Sequence, residues 1–184
     1  MNLTFKDAAE TGPAYTRTSR VVHWLVAVLI IGMIALGWYM MSIEDDPGSD
    51  TYFTLHKSTG LIVLVLVLFR LVWRLGHRPK ALPLSLPGWQ LMASKASHWS
   101  LYGAMIAMPI VGLAGALLSK DGVSFFGAAL PRVFTANHDL AEVFFSIHSV
   151  IAWILVALIS LHVLAALKHL LVDKDGVFQR MWHS

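Results

Sequence analysis

The sequence of 184 residues contains no cysteine at all. Disulfide bridges, thiolate zinc sites, thiolate iron–sulfur clusters and a covalently attached c-type haem are therefore excluded. Nine histidines remain as the residues best suited to bind a transition metal. Any metal chemistry of this chain would depend mainly on imidazole nitrogens.

Charged residues are also scarce. They make up 14% of the chain, against about 25% in an ordinary soluble domain. Hydrophobic residues reach 57%, above the usual range of roughly 45–50%, and the mean hydropathy is +0.65. A soluble domain of this length does not need so much apolar surface, whereas a small polytopic membrane protein does.

Four apolar stretches are long enough to cross a bilayer core, which takes about 20 helical residues. They cover about residues 21–41, 53–73, 98–118 and 143–171. Because lipid offers backbone groups no hydrogen-bond partners, each stretch must be a helix. We predict an all-α fold, with residues 1–184 forming one integral membrane four-helix bundle. The intervening segment 75–97 is expected to lie at the membrane interface.

The distribution of basic residues predicts the orientation. Eleven of the fourteen lysines and arginines fall in the N-terminus, the second loop, the C-terminus or the adjoining helix ends, which predicts that both termini are cytoplasmic. Acidic residues concentrate on the opposite face, including Glu44, Asp45, Asp46 and Asp50 in one loop. The basic balance thus reflects membrane topology, and we expect lipid rather than nucleic acid as a partner.

Four histidines lie within the predicted spans, where ionisable side chains are costly and usually face the bundle interior. His148 and His162 are 14 residues apart, which places both on one face of the fourth helix, about 21 Å apart along its axis. Depth in the membrane then pairs His56 with His148 near the outer surface, and His23 with His162 near the cytoplasmic surface. We call these the outer pair and the inner pair.

Two protein ligands are too few for a closed zinc site but suit a haem, whose iron needs two axial groups. We therefore predict two haem b groups, one at each pair. Basic side chains near the inner pair are possible partners of the haem propionates: Arg17, Arg20, Arg70 and Arg74. His98 and His169 also lie near the cytoplasmic side, where they would either line a quinone pocket or bind water and lipid headgroups. We assign no catalytic residue.

The order and spacing of these residues resemble the bacterial cytochrome b561 family over nearly the whole chain after Tyr15. The motifs that carry the resemblance are Tyr-x-Arg followed by His-Trp (Tyr15 to Trp24), His-x-Ser-x-Gly with two later arginines (His56 to Arg74), a third-span pattern (His98, Tyr102, Pro109 and Gly112) and a fourth-span pattern (His148, Leu161, His162, Ala165, Ala166, Leu167 and His169). The resemblance implies axial ligation by the same four histidines, location in the bacterial inner membrane, and electron exchange with ubiquinone-type quinone.

One branch of this family resembles a superoxide:ubiquinone oxidoreductase, and superoxide oxidase is the function that we expect first. An acidic outer face would instead suit a cationic periplasmic electron-carrier protein. A further alternative is a cytochrome b subunit serving a separate dehydrogenase or hydrogenase. The alternative of another class is a haem-free proton-coupled transporter that uses the intramembrane histidines. It is disfavoured because no carboxylate lies within a predicted span except Glu142, at the edge of the fourth.

Overall fold

The computed structural model describes residues 15–80 and 86–182. The chain ends, for which a cytoplasmic position was predicted, and part of the predicted interfacial segment lie outside the described residues. The elements are α1 (Arg17–Ser42), α2 (Ser49–Gly76), α3 (Gly88–Leu118), β1 (Ser124–Phe125), β2 (Ala128–Ala129), α4 (His138–Lys168), a π-helical turn (His169–Asp173) and the short α5 (Gln179–Trp182).

Four of these helices, counted within the described ranges, are long and apolar enough to cross a membrane. Their outward faces carry Val28, Val65 and Leu161, each about two-thirds exposed. Such rows of exposed aliphatic side chains would be costly in water and are ordinary in contact with lipid. The prediction of a helical fold with four membrane-spanning segments is confirmed.

The third helix begins ten residues before the predicted start of its span. The segment 75–97 was predicted to lie at the membrane interface, and its residues 88–97 are helical in the structure and continuous with the span. They consist largely of residues that favour helix, such as Gln90, Leu91 and Met92, and Pro87 marks the beginning because proline fits at a helix start but not in its interior. The last ten residues of this segment are therefore part of α3.

Side-chain caps define where two of the spanning helices start. The Thr16 hydroxyl accepts a hydrogen bond from the Ser19 backbone N–H (3.1 Å) at the start of α1. The Asn137 side-chain oxygen accepts from the Leu140 N–H (3.1 Å) at the start of α4. Each cap satisfies a backbone donor that has no partner within its own helix.

The buried core lies along the bundle axis and draws on all four spans. It comprises Val26, Ile30, Val63, Val67, Leu101, Tyr102, Met105 and Leu155. Close backbone contacts join α1 to α2, α2 to α3, and α3 to α4. Helices α1 and α4 meet through side chains, including Trp38 and Trp153, whose ring centroids are 5.5 Å apart. The distance between α1 and α4 is thus set by the size of the side chains that lie between them.

A small β-hairpin lies between α3 and α4. Ser124 pairs with Ala129, and Phe125 with Ala128. The two turn residues, Phe126 and Gly127, have φ values of 46° and 89°, as a two-residue hairpin turn requires. The Phe126 N–H donates to the fully buried hydroxyl of Ser58 on α2 (2.8 Å). This hydrogen bond holds the hairpin against α2 at Ser58, two positions after His56 in the sequence.

The C-terminal segment turns back after the π-helical turn. Lys174 and Gly176 both have positive φ, and the carboxylate of Asp175 accepts from the Val177 backbone N–H (3.1 Å). The Trp24 indole N–H then donates to the backbone carbonyl of Met181 (3.2 Å). This reversal places the segment around α5 against the end of α1.

Candidate functional site: two facing histidine pairs

The inner pair joins α1 to α4. The imidazole centroids of His23 and His162 lie 6.3 Å apart, with an interplanar angle of 73°. Both rings are partly buried. The pair therefore offers two imidazoles that come from different helices and face one another.

The outer pair joins α2 to α4 in nearly the same way. The centroids of His56 and His148 lie 6.1 Å apart, with an interplanar angle of 75°. Because His148 and His162 are separated by 14 residues, the pairs are about 21 Å apart along α4. The structure thus brings together the same two pairs that depth alone predicted.

The spacing within each pair fits two axial ligands of one haem iron. A metal–imidazole nitrogen bond is about 2.0–2.1 Å and the ring centre lies about 1.1 Å beyond the nitrogen, so two rings on opposite sides of one metal have centroids about 6.3 Å apart. The distances of 6.3 and 6.1 Å match this value. An apolar cleft borders the outer pair, and its lining includes Met33, Gly60 and Val63. The donor set and its surroundings therefore fit a haem.

Two glycines on neighbouring helices leave room for the outer imidazoles. A Cβ on Gly112 would lie 2.8 Å from Nδ1 of His148, and a Cβ on Gly37 would lie 3.4 Å from Cε1 of His56. The first distance is a clash, whereas the second is a close contact. Residue 112 must therefore be glycine for His148 to keep its position.

Hydrogen bonds orient the histidines of the outer pair differently. Nδ1 of His148 donates to the backbone carbonyl of Met108 (2.9 Å), which leaves Nε2 unprotonated and able to bind a metal. Nδ1 of His56 is buried and has no hydrogen-bond partner among the described residues. His148 is thus oriented by the protein, and His56 is held mainly by packing.

Arg70 occupies a special position at the inner pair. Its guanidinium donates to Nδ1 of His23 (2.9 Å), and because arginine has only donors, the other ring nitrogen carries the proton. A metal bound at that other nitrogen needs it unprotonated. Arg70 must therefore release His23 when a metal binds, and its charge becomes available to another acceptor.

The four arginines predicted near the inner pair divide into two groups. Arg70 and Arg74 flank Tyr102, with guanidinium carbons 5.1 and 5.8 Å from its ring centroid. Arg17 is exposed in the first turn of α1, and Arg20 is half-buried with its Nε unpartnered within the described ranges. The structure therefore brings Arg70 and Arg74 into one cluster with Tyr102.

His98 lies beside the inner pair, with its ring centroid 5.5 Å from that of His162. Its Nδ1 donates to the Ser94 backbone carbonyl (2.7 Å), one turn earlier in α3. The structure therefore assembles three histidines at this depth, contributed by α1, α3 and α4. The spacing along one helix could not reveal this, since it depends on how α3 packs.

His169 begins the π-helical turn and lies close to two carboxylates. Its Nδ1 is 2.6 Å from Asp175 Oδ2 and 3.3 Å from Asp173 Oδ2, and Lys168 Nζ is 2.5 Å from the latter oxygen. Partial burial by itself raises the pKa of Asp175, but hydrogen bonds from the Val177 N–H and His169 outweigh it, so this pKa lies below its ordinary value. His169 is thus hydrogen-bonded within a group that also contains the Lys168–Asp173 ion pair and closes the C-terminal turn.

Comparison with known proteins decides the family. Residues 14–184 match the family model for prokaryotic cytochrome b561. The chain belongs to this family. Like other cytochrome b561 proteins, it is a multi-pass membrane protein that binds b-type haem and transfers electrons, and it is an oxidoreductase. Family membership also removes the main reason for considering a haem-free transporter.

Three relatives span nearly the whole cytochrome. It is 33% identical over 179 residues to cytochrome b561 homolog 2 of Escherichia coli K12, covering 93% of this chain and 92% of that protein. It is 29% identical over 174 residues to homolog 1 of the same organism, covering 91% and 96%. It is 34% identical over 166 residues to the probable superoxide oxidase CybB of Yersinia pestis, covering 87% and 90%.

Proposed function

We propose that the cytochrome binds two haem b groups, one between His23 and His162 and one between His56 and His148, and exchanges electrons between an extracytoplasmic donor and membrane quinone. The observation that carries this proposal is the presence of two facing imidazole pairs with centroid separations of 6.3 and 6.1 Å. Bound there, the haems would supply two one-electron carriers at different depths of the membrane. The chain itself provides the ligands, their orientation and the apolar surroundings.

We further propose that the protein lies in the bacterial inner membrane with the inner pair towards the cytoplasm. The bias of eleven of fourteen basic residues towards that side supports this orientation. The β-hairpin and the acidic loop between α1 and α2 would then face the periplasm. In this orientation the donor reacts at the outer pair and quinone at the inner end.

The leading donor is superoxide, as in the name of the Yersinia pestis relative. Superoxide is an anion, so it needs positive potential near the outer pair. The Lys57 ammonium, which directly follows His56 in the chain, donates to the backbone carbonyl of Gly122 (3.3 Å). The Arg132 guanidinium lies 4.0 Å from where a Cβ on Gly122 would be. Lys57 and Arg132 thus both lie next to Gly122, beside the hairpin. At this separation their electrostatic potentials add, because salt screens charges only beyond about 8–10 Å.

The overall reaction fixes what the two ends must do. Two superoxide anions each give up one electron and become dioxygen, while one quinone takes both electrons and two protons and becomes quinol. Protons are therefore consumed only at the quinone end. His98 and His169, both at the inner end, are the residues that we propose for contact with quinone or for holding protons there.

A second donor is favoured by one specific observation. Glu44, Asp45 and Asp46 cluster in the loop between α1 and α2, and Asp50 follows in the first turn of α2. Such a cluster attracts a basic electron-carrier protein rather than a small anion. Service as the cytochrome b subunit of a separate dehydrogenase or hydrogenase would use the same two haem sites with a bound partner.

Spectroscopy and stopped-flow reduction test the proposal. The purified protein should contain close to two haems per chain, with low-spin b-type bands, and should be reduced rapidly by superoxide. The Lys57→Gln, Arg132→Gln double variant should be reduced more slowly by superoxide, with a weaker dependence on ionic strength. Lys95→Gln, which removes an exposed cation at the inner end of α3, is the matched control. A double variant with unchanged kinetics would exclude superoxide guidance by these cations.

A further inference from the structure

The hydroxyl of Tyr102 on α3 is buried and has no hydrogen-bond partner among the described residues. The residue as a whole is only 3% exposed. A buried hydroxyl without a partner is costly, and native proteins rarely tolerate one. A phenylalanine would fill the same core position without this cost, so the hydroxyl calls for an acceptor other than the described residues.

Two positive charges lie against the same ring. The guanidinium carbons of Arg70 and Arg74 are 5.1 and 5.8 Å from its centroid. In the described part of the chain, neither arginine forms an ion pair with a carboxylate. Two partly buried cations and an unused hydroxyl donor together form a site for an anion.

The same three residues line an open cleft at the inner end of the bundle. Tyr15, Trp73 and Met181 contribute to its walls. The cleft adjoins the inner pair, because Arg70 also donates to Nδ1 of His23. An acceptor in the cleft could therefore take over Arg70 when His23 becomes a metal ligand.

We propose that Tyr102, together with Arg70 and Arg74, forms a carboxylate site for the propionate groups of the haem at the inner pair, in which the Tyr102 hydroxyl is the buried hydrogen-bond donor. This inference rests on the proposed function, since it requires a haem between His23 and His162. It adds a residue that touches the cofactor and specifies which edge of the inner haem faces the cleft. Each propionate contributes the anionic oxygens that the cleft lacks.

The Tyr102→Phe variant tests the proposal in the full-length holoprotein. Loss of one hydrogen bond to a charged group should speed transfer of the inner haem to a haem-scavenging apoprotein by about tenfold. The inner haem should also become harder to reduce, because a less neutralised carboxylate favours the ferric state, and its propionate bending band in the resonance Raman spectrum should shift. The outer haem should keep its release rate and potential. The inner component is identified as the one that His162→Ala lacks.

Tyr39→Phe is the matched control, since it removes the hydroxyl of a half-exposed tyrosine at the outer end of the bundle. Arg74→Gln provides a second test of the same carboxylate contact and should also accelerate release of the inner haem alone. An inner haem unchanged in release, potential and Raman band would overturn the proposal, as would equal changes in both haems. An anionic lipid in the cleft would give the first of these results. A wild-type protein without haem would refute both the proposed function and this inference. A wild-type protein with two haems, neither of them affected by Tyr102→Phe, would refute this inference alone.

Discussion

Gly112→Ala should remove the outer haem while sparing the inner one. The new methyl carbon would lie 2.8 Å from Nδ1 of His148, so the imidazole must move by about 0.7 Å to reach the roughly 3.5 Å of a favourable contact. The hydrogen bond from His148 to the Met108 carbonyl, now 2.9 Å, would lengthen to as much as about 3.6 Å if the ring moves away from that carbonyl, and would then be lost. The ligand would lose both its position and its orientation.

The size of the effect follows from these two changes. Overpacking a filled site costs about 1–3 kcal/mol, and a lost neutral hydrogen bond adds about 1 kcal/mol. A total of about 3 kcal/mol corresponds to roughly a hundredfold weaker binding of the outer haem. Helix propensity does not contribute to this loss, because alanine is favoured over glycine inside a helix.

Haem content per chain and a redox titration of the two components provide the assay. Gly103→Ala in the same helix is the matched control, since a Cβ there meets nothing within 4 Å. Gly37→Ala should be intermediate, because its Cβ would lie 3.4 Å from His56. If Gly112→Ala retained an outer haem with an unchanged potential, or lost both haems equally, the argument that this glycine makes room for His148 would be refuted.

Three further predictions concern the segments that frame the haem sites. Ser58→Ala leaves the Phe126 N–H without its acceptor, which should cost about 1–3 kcal/mol and expose the hairpin to proteolysis between α3 and α4. Asn137→Ala removes the cap of α4 and should lower the free energy of unfolding by about 1 kcal/mol, measured by thermal denaturation in detergent. Because the pKa of Asp175 is below its ordinary value, its contacts stabilise the C-terminal turn at neutral pH and should persist as pH falls to about 4. They should be lost only below that, as the pH passes through the lowered pKa. The fluorescence of Trp182, taken as the difference from Trp182→Phe, should follow this transition and show none in Asp175→Asn.

The spans and histidine pairs could be predicted because they depend on local rules. Apolar length specifies a membrane helix, and the 14-residue interval between His148 and His162 determines face and depth whatever the neighbouring helices do. The start of α3 was harder to predict, since residues 88–97 are less apolar than the span and their helical state shows in propensity rather than in hydropathy. The sequence therefore predicts that each helix exists more reliably than it predicts the residue at which the helix begins.

The remaining parts of the site depend on packing between helices. The approach of His98 to His162, the clustering of Arg70 and Arg74 on Tyr102, and the space left by Gly112 all require knowledge of how α3 rotates against its neighbours. The hairpin likewise depends on Ser58, which is 66 residues from Ser124 along the chain. A Phe-Gly turn between short strands is a weak local signal, and the distant hydroxyl that fastens it could not be inferred from the sequence.

Haem content of two single variants tests the central claim most directly. We predict close to two haems per chain in the wild-type protein and close to one in each of His148→Ala and His162→Ala, with the two variants retaining spectrally different components. Loss of both haems from either variant in a protein that remains folded, or full retention in both, would contradict the assignment of two separate histidine pairs.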